Sequence, residues 1–273
     1  MAAVPRFAFI RADACGLVTV MNRPAVLVTG GAKRVGAAFS RAFADAGWHV
    51  VIHYRSSGEA ADALAGQLPS AQTVRADLAD PEASAALVRD LAAKLEDWRA
   101  LVNSAAIFEQ DSVTALDPAI HDRAMRTNAR APAMLAQSYL AHARASAGRH
   151  VIQVTDQKLA NPNPDFFSYT MSKHALDATI RMLAMGATRN EDRVYGLAPG
   201  AILASHDQSE DEAERSHLLN LRRRRTTAQD VAQAAVMLAG GDLASGETLF
   251  VDNGQHLLSQ PRDVIYLERE GAR

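Results

Sequence analysis

The 273 residues carry 29 Lys and Arg against 31 Asp and Glu, a formal net charge of −2, and 48% of them are hydrophobic. That balance excludes a disordered chain and lacks the basic excess of a nucleic-acid binder. A single cysteine, Cys15, permits no intramolecular disulfide and no cysteine-based zinc cluster, which fits a reducing cytoplasm, and no apolar stretch approaches the roughly 20 residues of a membrane span.

Residues 1–21 contain Arg6, Arg11 and Asp13 and lack the continuous apolar segment of a secretory signal. They are expected to be a mobile extension or a mis-assigned start, because Met21 opens a more ordinary beginning directly before the first strand. Residues 22–273 show no composition break and predict one domain. Seven strand-like runs follow in order: 25–29, 49–54, 73–77, 100–103, 150–154, 193–199 and 248–251. Helical patterns separate them. Phe39, Ala42, Phe43 and Ala46 share one helical face, Gly47 sits where a C′ glycine ends a helix, and later helices are expected over 81–96, 118–145, 168–190 and 227–239. Asp80-Pro81 and Asp117-Pro118 read as cap-plus-first-turn starts. Strands alternating with helices predict a doubly wound parallel sheet of about seven strands with helices on both faces, a Rossmann-type fold.

The first strand runs into Gly30-Gly31-Ala32-Lys33-Arg34-Val35-Gly36 and then a helix, the context in which backbone N–H groups and a helix N-terminus cradle a pyrophosphate. The second strand ends in His53-Tyr54-Arg55-Ser56 without the carboxylate that holds the ribose 2′-hydroxyl of NAD. Arg55, with Arg34 or Lys33, suits a 2′-phosphate, so the expected cofactor is NADPH/NADP+. Asp77, followed by Leu78, is placed either to accept from the adenine amino group or to cap a turn. Tyr169 and Lys173 lie four apart on one helical face, where the ammonium is expected to draw the phenol toward useful acid–base range. The nine histidines form no metal-ligand spacing, and no metal is expected.

TGGAKRVG, the NSAA at Asn103 to Ala106, Asn128 in RTNARAP, YTMSK, LAPG at 197–200 and GETLFVDNGQ together resemble the short-chain dehydrogenase/reductase family over residues 24–257. The resemblance implies a homotetramer or dimer and hydride transfer from the nicotinamide. It implies that Asn128 supports a lysine-bound water and proton relay, that Tyr169 is the general acid, and that Lys173 holds the nicotinamide ribose. It places Asn103, Ala105, Pro199 and Gly200 against the cofactor. Two positions depart from the family: Asp156 stands where a serine is usual, and Arg34 where a glycine is usual. Both are similar to the pattern of pteridine reductases, as are HYRSS and Phe108, which in that subgroup stacks the pterin on the nicotinamide. Dihydromonapterin reductases share the Thr-Asp pair and a polar, His-containing segment like that around His206. The usual Asn-Asn is Asn103-Ser104 here.

A carboxylate only accepts hydrogen bonds, so Asp156 suits a substrate with N–H groups, and the expected substrate-binding set is Arg34, Phe108, Asp156 and Tyr169. The expected reaction is NADPH-dependent reduction of a dihydropterin C=N bond. The competing readings are a short-chain carbonyl reductase and a non-catalytic NADP-binding regulator. The segment 203–225, ending in Arg222-Arg223-Arg224-Arg225, reads either as a flap over the site or as a solvated rim.

Overall fold

The computed structural model describes residues 23–205 and 208–271. The expectations for residues 1–21 and for His206 lie outside the described residues. Seven strands form one sheet: β1 (Ala25–Val28), β2 (His49–Tyr54), β3 (Ala71–Arg75), β4 (Trp98–Asn103), β5 (His150–Val154), β6 (Arg193–Pro199) and β7 (Thr248–Val251). They are ordered β3-β2-β1-β4-β5-β6-β7 and every neighbouring pair is parallel. The doubly wound fold expected from the sequence is the fold observed.

Alternation along the strands sends side chains into two cores. Val26 and Val28 pack toward the side that holds Phe39, Phe43 and Val231, whereas Ala25 and Leu27 pack toward Leu87, Leu135 and Tyr139. Helices α1 (Arg34–Asp45), α2 (Gly58–Ala65) and α8 (Ala228–Leu238) supply the first layer. The second comes from α3 (Pro81–Lys94), α5 (Ala131–His142) and α6 (Phe167–Gly186). The chain winds outward through β2 and β3, then returns to place β4 on the other side of β1. That reversal opens a crevice at the carboxyl ends of β1 and β4, where such sheets bind ligands.

Local chemistry accounts for most boundaries. Gly47 has φ +87°, its N–H reaches Ala44 O at 2.9 Å, and Trp48 N–H reaches Phe43 O at 3.0 Å, which closes α1 in a Schellman motif. The Phe43 and Trp48 rings meet edge-on, 5.2 Å apart, as the hydrophobic contact across that cap. Ala46 is exposed at the cap rather than on the buried face, where Ala44 sits instead. Asp80 and Asp117 accept backbone N–H groups at 2.9 and 2.8 Å, capping α3 and α4 (Pro118–Ala124); each such cap is worth about 1 kcal/mol.

Three expectations change. The third strand ends at Arg75, so Asp77 belongs to the following loop. The helix expected over 118–145 is three pieces, α4, a π-helical turn Met125–Arg130, and α5. Pro132 has no N–H to give to the carbonyl of Asn128, its α-helical partner, and Ala131 N–H bonds Arg126 O five residues back. The segment 203–225 holds a short helix, α7 (Glu210–Ser216), started by a capping box between Ser209 and Glu212. Helices α2, α7 and α9 (Val264–Gly271) had no counterpart in the sequence reading. Among the described residues no helix is long and apolar enough to cross a membrane.

Candidate active site

The turn after β1 is built by close approach. Gly30 has φ +64° and lies against Ala105, while a Cβ on Gly36 would stand 2.1 Å from Gly30 O. Only glycine fits there. Thr29 Oγ1 accepts N–H bonds from Ser104 at 2.9 Å and Ala105 at 3.0 Å, tying the ends of β1 and β4 together. His53 completes the frame. Its Nδ1 accepts the Gly30 N–H at 3.1 Å, so Nε2 carries the proton and donates to Ala76 O at 3.1 Å. Burial holds its pKa down to about 4, against the bond it donates to Ala76 O and the charge of Asp77. His53 was expected to bind cofactor; it borders the cavity, but both ring nitrogens serve the protein backbone.

Beside this turn lies a cavity of about 370 Å³ bordered by Gly30, Lys33–Gly36, Arg55, Ser56, Leu78 and Ala105. Exposed Lys33, Arg34 and Arg55 surround its rim. The start of α1 has no acidic residue in its first turn, so its N-terminal N–H groups face the cavity uncompensated. Tyr54 borders the same space, and Asp77 spends Oδ1 on Ala79 N–H at 3.0 Å, the turn-capping alternative. These residues fit a phosphate-bearing dinucleotide.

Arg34 links this cavity to a second. Its φ of +52° is a left-handed conformation rare for a long side chain, and its guanidinium donates to Ala204 O at 3.0 Å. It therefore borders both the cofactor cavity and a neighbouring space of about 320 Å³. Asp156, Phe108 and Gly200 border that second space. Pro199, expected beside the nicotinamide, pairs with Val251 in the sheet and borders neither cavity.

Tyr169 projects from α6 and donates its hydroxyl to Asp156 Oδ2 at 2.8 Å. Asp156 Oδ1 accepts Lys158 N–H at 2.9 Å, which fixes the carboxylate. Burial raises the Asp156 pKa, opposed chiefly by the ammonium of Lys158. Burial and then the Asp156 charge push the Tyr169 hydroxyl well above its ordinary value. Lys173 Nζ lies over the Tyr169 ring, 5.6 Å from its centroid, and donates to Val154 O at 2.7 Å. Burial brings Lys173 down to about 8, with Asp156 opposing. The expectation that Lys173 draws the phenol toward neutrality is thus corrected: burial first and the Asp156 carboxylate second raise the hydroxyl, and Tyr169 is held as a proton donor.

One further expectation changes. Asn103 is 3% exposed and turns away from the cofactor cavity, donating to Gln153 Oε1 at 2.9 Å and Pro132 O at 3.2 Å. The Asn128 amide is also committed. It accepts Ile107 N–H at 2.8 Å and donates to Ile107 O at 2.9 Å and Ser172 Oγ at 3.1 Å, so its side chain positions the loop after β4, while its backbone carbonyl is the one left without a helical N–H by Pro132.

Phe108 stacks on Phe166 at 4.1 Å and meets Tyr169 edge-on at 4.7 Å. Phe166 itself adopts φ +54° at the start of α6. Sequence reasoning missed Phe166, Lys158 and the chain's last helix, although Val264 and Ile265 border the second cavity. It also missed His217, which lies 4% exposed at that cavity with Nδ1 unpartnered, in the segment read either as a flap or as a solvated rim. Arg225 pairs with Glu214 at 2.7 Å, whereas Arg222, Arg223 and Arg224 are exposed, so most of the arginine run is solvated rim.

A family model described as enoyl-(acyl carrier protein) reductase matches residues 30–256. The chain belongs to the short-chain dehydrogenase/reductase family, and its cofactor is NADP(H), as NADP-bound structures similar to it and the cavity beside the glycine turn agree. It is similar to the FolM alternative dihydrofolate reductase 1 of Brucella canis complexed with NADP, at 31% identity and a TM-score of 0.82, over 89% of this chain and 97% of that one. It is also similar to a 3-oxoacyl-[acyl-carrier protein] reductase of Brucella melitensis, at 26% identity and a TM-score of 0.77, over 87% and 99% of the two chains. Versicolorin reductase 1 of Aspergillus parasiticus is 29% identical over 64% of this chain and 68% of its own length.

Proposed function

We propose that the protein is an NADPH-dependent pteridine reductase that converts a dihydropterin to its tetrahydro form. The observation that carries this reading is the Tyr169 hydroxyl bonded to Asp156 at 2.8 Å, in a cavity shared with Phe108 and Arg34. A serine at position 156 would donate to a ketone oxygen; Asp156 can only accept, and a pterin brings N–H groups to meet it. Bound NADPH supplies the hydride. A substrate N–H that donates to Asp156 displaces the tyrosine hydroxyl from that acceptor, and Tyr169 then gives its proton to the ring nitrogen beside the reduced carbon. Phe108 offers an exposed ring face for stacking, and Arg34 offers donors at the boundary between cofactor and substrate. Similarity to the Brucella canis enzyme supports the same reading.

The segment around Ser205, Gln208 and His217 is proposed to select the pterin side chain. A homotetramer or dimer is proposed, supported by Met182 and Met185 exposed on α6, and a cytoplasmic site of action is supported by the lone cysteine. The test is NADPH oxidation at fixed enzyme concentration with dihydromonapterin, dihydrobiopterin, dihydrofolate and an acetoacetyl thioester in parallel. Turnover of one or more pterins without thioester turnover supports the proposal. Thioester turnover alone returns the protein to carbonyl reduction, and no turnover of any substrate points to the non-catalytic reading.

A further inference from the structure

One wall of the substrate cavity comes from residues 263–265, at the start of α9. Asp263, Val264 and Ile265 border the cavity, and all lie beyond the family match at residues 30–256. Ile265, 5% exposed, packs in one cluster with Phe166 and the catalytic Tyr169.

This segment is fastened by buried charge. Lys158, only 3% exposed, places Nζ 2.7 Å from Asp263 Oδ2. The same ammonium donates to Asp165 O at 3.2 Å and Asn163 Oδ1 at 3.3 Å, and lies over the Phe166 ring. Asp263 in turn caps α9: its Oδ1 accepts Ile265 N–H at 3.1 Å, and its own N–H donates to Asp165 Oδ2 at 2.8 Å. Arg262 grips Asp165 with two nitrogens, at 2.8 and 2.9 Å. Beyond the cap, Glu268 pairs with Arg215 at 2.6 Å and Arg269 with Glu212 at 3.2 Å, so α9 also holds α7, whose flanking residues Gln208 and His217 border the same cavity.

We propose that Lys158 is a positioning residue of this reductase: its buried ion pair with Asp263 docks residues 262–266 against Tyr169 as the specificity-determining wall of the substrate cavity. A buried ammonium is costly unless its partners are well placed, and removing one side of such a pair strands the other. Here the partners are all on the loop before α6 or on the C-terminal segment, so the stabilisation of Lys158 depends on that segment being in place. Lys158 also couples the wall to the chemistry. Its backbone N–H holds Asp156 Oδ1 at 2.9 Å, and its ammonium is the main charge that opposes burial in raising the Asp156 pKa. The other charged or titratable groups about the pair are Asp156, on which Lys158 acts, Lys173 and Tyr169 from α6, the Asp165–Arg262 pair, Arg34 from the glycine turn, and His217, on which Asp263 acts.

The inference rests on the reductase reading of the cavity, and its test has one arm that needs no substrate. Amide hydrogen exchange across 264–271 is measured first in the full chain. Lys158→Met and Asp263→Asn are expected to speed exchange there at least tenfold, and Lys158→Arg to keep it near wild type. Steady-state kinetics follow on whichever substrate the wild-type protein reduces. Lys158→Met and Asp263→Asn are expected to raise substrate KM about tenfold while the NADPH constant stays within twofold, and Lys158→Arg is expected to rescue. In Lys158→Met the Asp156 pKa rises further, so the acid limb of the kcat/KM profile moves to higher pH. If Lys158→Met fails to fold, Ile265→Ala, which leaves every charge in place, still has to raise substrate KM without moving that limb. Unchanged exchange, or an unchanged substrate KM in both Asp263→Asn and Ile265→Ala, overturns the proposal. Turnover of the thioester rather than a pterin sinks the pterin reading while the exchange arm still decides the docking.

Discussion

The cavity beside the glycine turn draws its walls mainly from short contiguous runs at the ends of β1 to β4, whereas the cavity at Asp156 is assembled from scattered residues: Arg34, Phe108, the ends of β5 and β6, single positions such as Ser205, Gln208 and His217, and the start of α9. The first is framed by backbone groups and neutral partners: the Gly30 N–H on His53, the Thr29 hydroxyl under Ser104 and Ala105. The second is held by side-chain charge and aromatic contact: Asp156 on Tyr169, Lys158 on Asp263, Phe108 on Phe166. A site fixed by backbone geometry changes little when a rim residue is replaced. A site fixed by side chains can be retuned for another substrate by a few substitutions, and its behaviour depends on protonation.

The largest expected effect is in the second cavity. Tyr169→Phe keeps the edge-on contact with Phe108 but removes the proton donor, and kcat should fall by about a thousandfold with the NADPH constant within twofold. Near-normal turnover on the true substrate would show that another group delivers the proton. In the first cavity the equivalent change is a glycine. Gly36→Ala drives a Cβ to 2.1 Å from Gly30 O, and should cost about 3 kcal/mol in urea unfolding, together with NADPH binding.

The frame of the first cavity has its own pH signature. The folded-state pKa of His53, about 4, lies below its ordinary 6.5. Its contribution is therefore fully present above the ordinary value and is lost as pH falls through the folded one, about 3 kcal/mol by linkage. His53→Leu should flatten that stretch of the stability curve, and an unchanged slope would assign it elsewhere. Smaller still, Arg55→Ala should raise the NADPH constant about tenfold, the worth of one charge-assisted bond to phosphate. Arg225→Ala, at an exposed pair with Glu214, should change stability by no more than about 0.5 kcal/mol.

The same division explains what could be read from the amino-acid order. The glycine turn, the absent carboxylate after β2 and the Tyr169–Lys173 pair are each local patterns, and the strand runs between them stand within two residues of the observed β1 to β7. Asp156 stood out by its type, and its partner Tyr169 was legible from helical spacing. The π turn at 125–130 was hidden because a single wide turn barely alters the period of a helix, although Pro132 marks it in retrospect. The shift of Tyr169 upward rather than downward comes from its burial and then from the 2.8 Å contact with Asp156, neither of which spacing reveals. The wall at 262–266 was illegible for a similar reason: Lys158 and Asp263 are remote in the chain, and a lone lysine two residues past Asp156 reads as solvated surface until folding buries it.

The central claim is that an acceptor-only group at position 156 directs the chemistry to pterins. Its most direct test is kcat/KM for dihydromonapterin and for an acetoacetyl thioester, measured side by side on the wild-type protein and on Asp156→Ser. The account predicts a wild-type preference for the pterin that falls at least tenfold in the variant; a wild-type preference for the thioester, or a ratio that Asp156→Ser leaves unchanged, would contradict it.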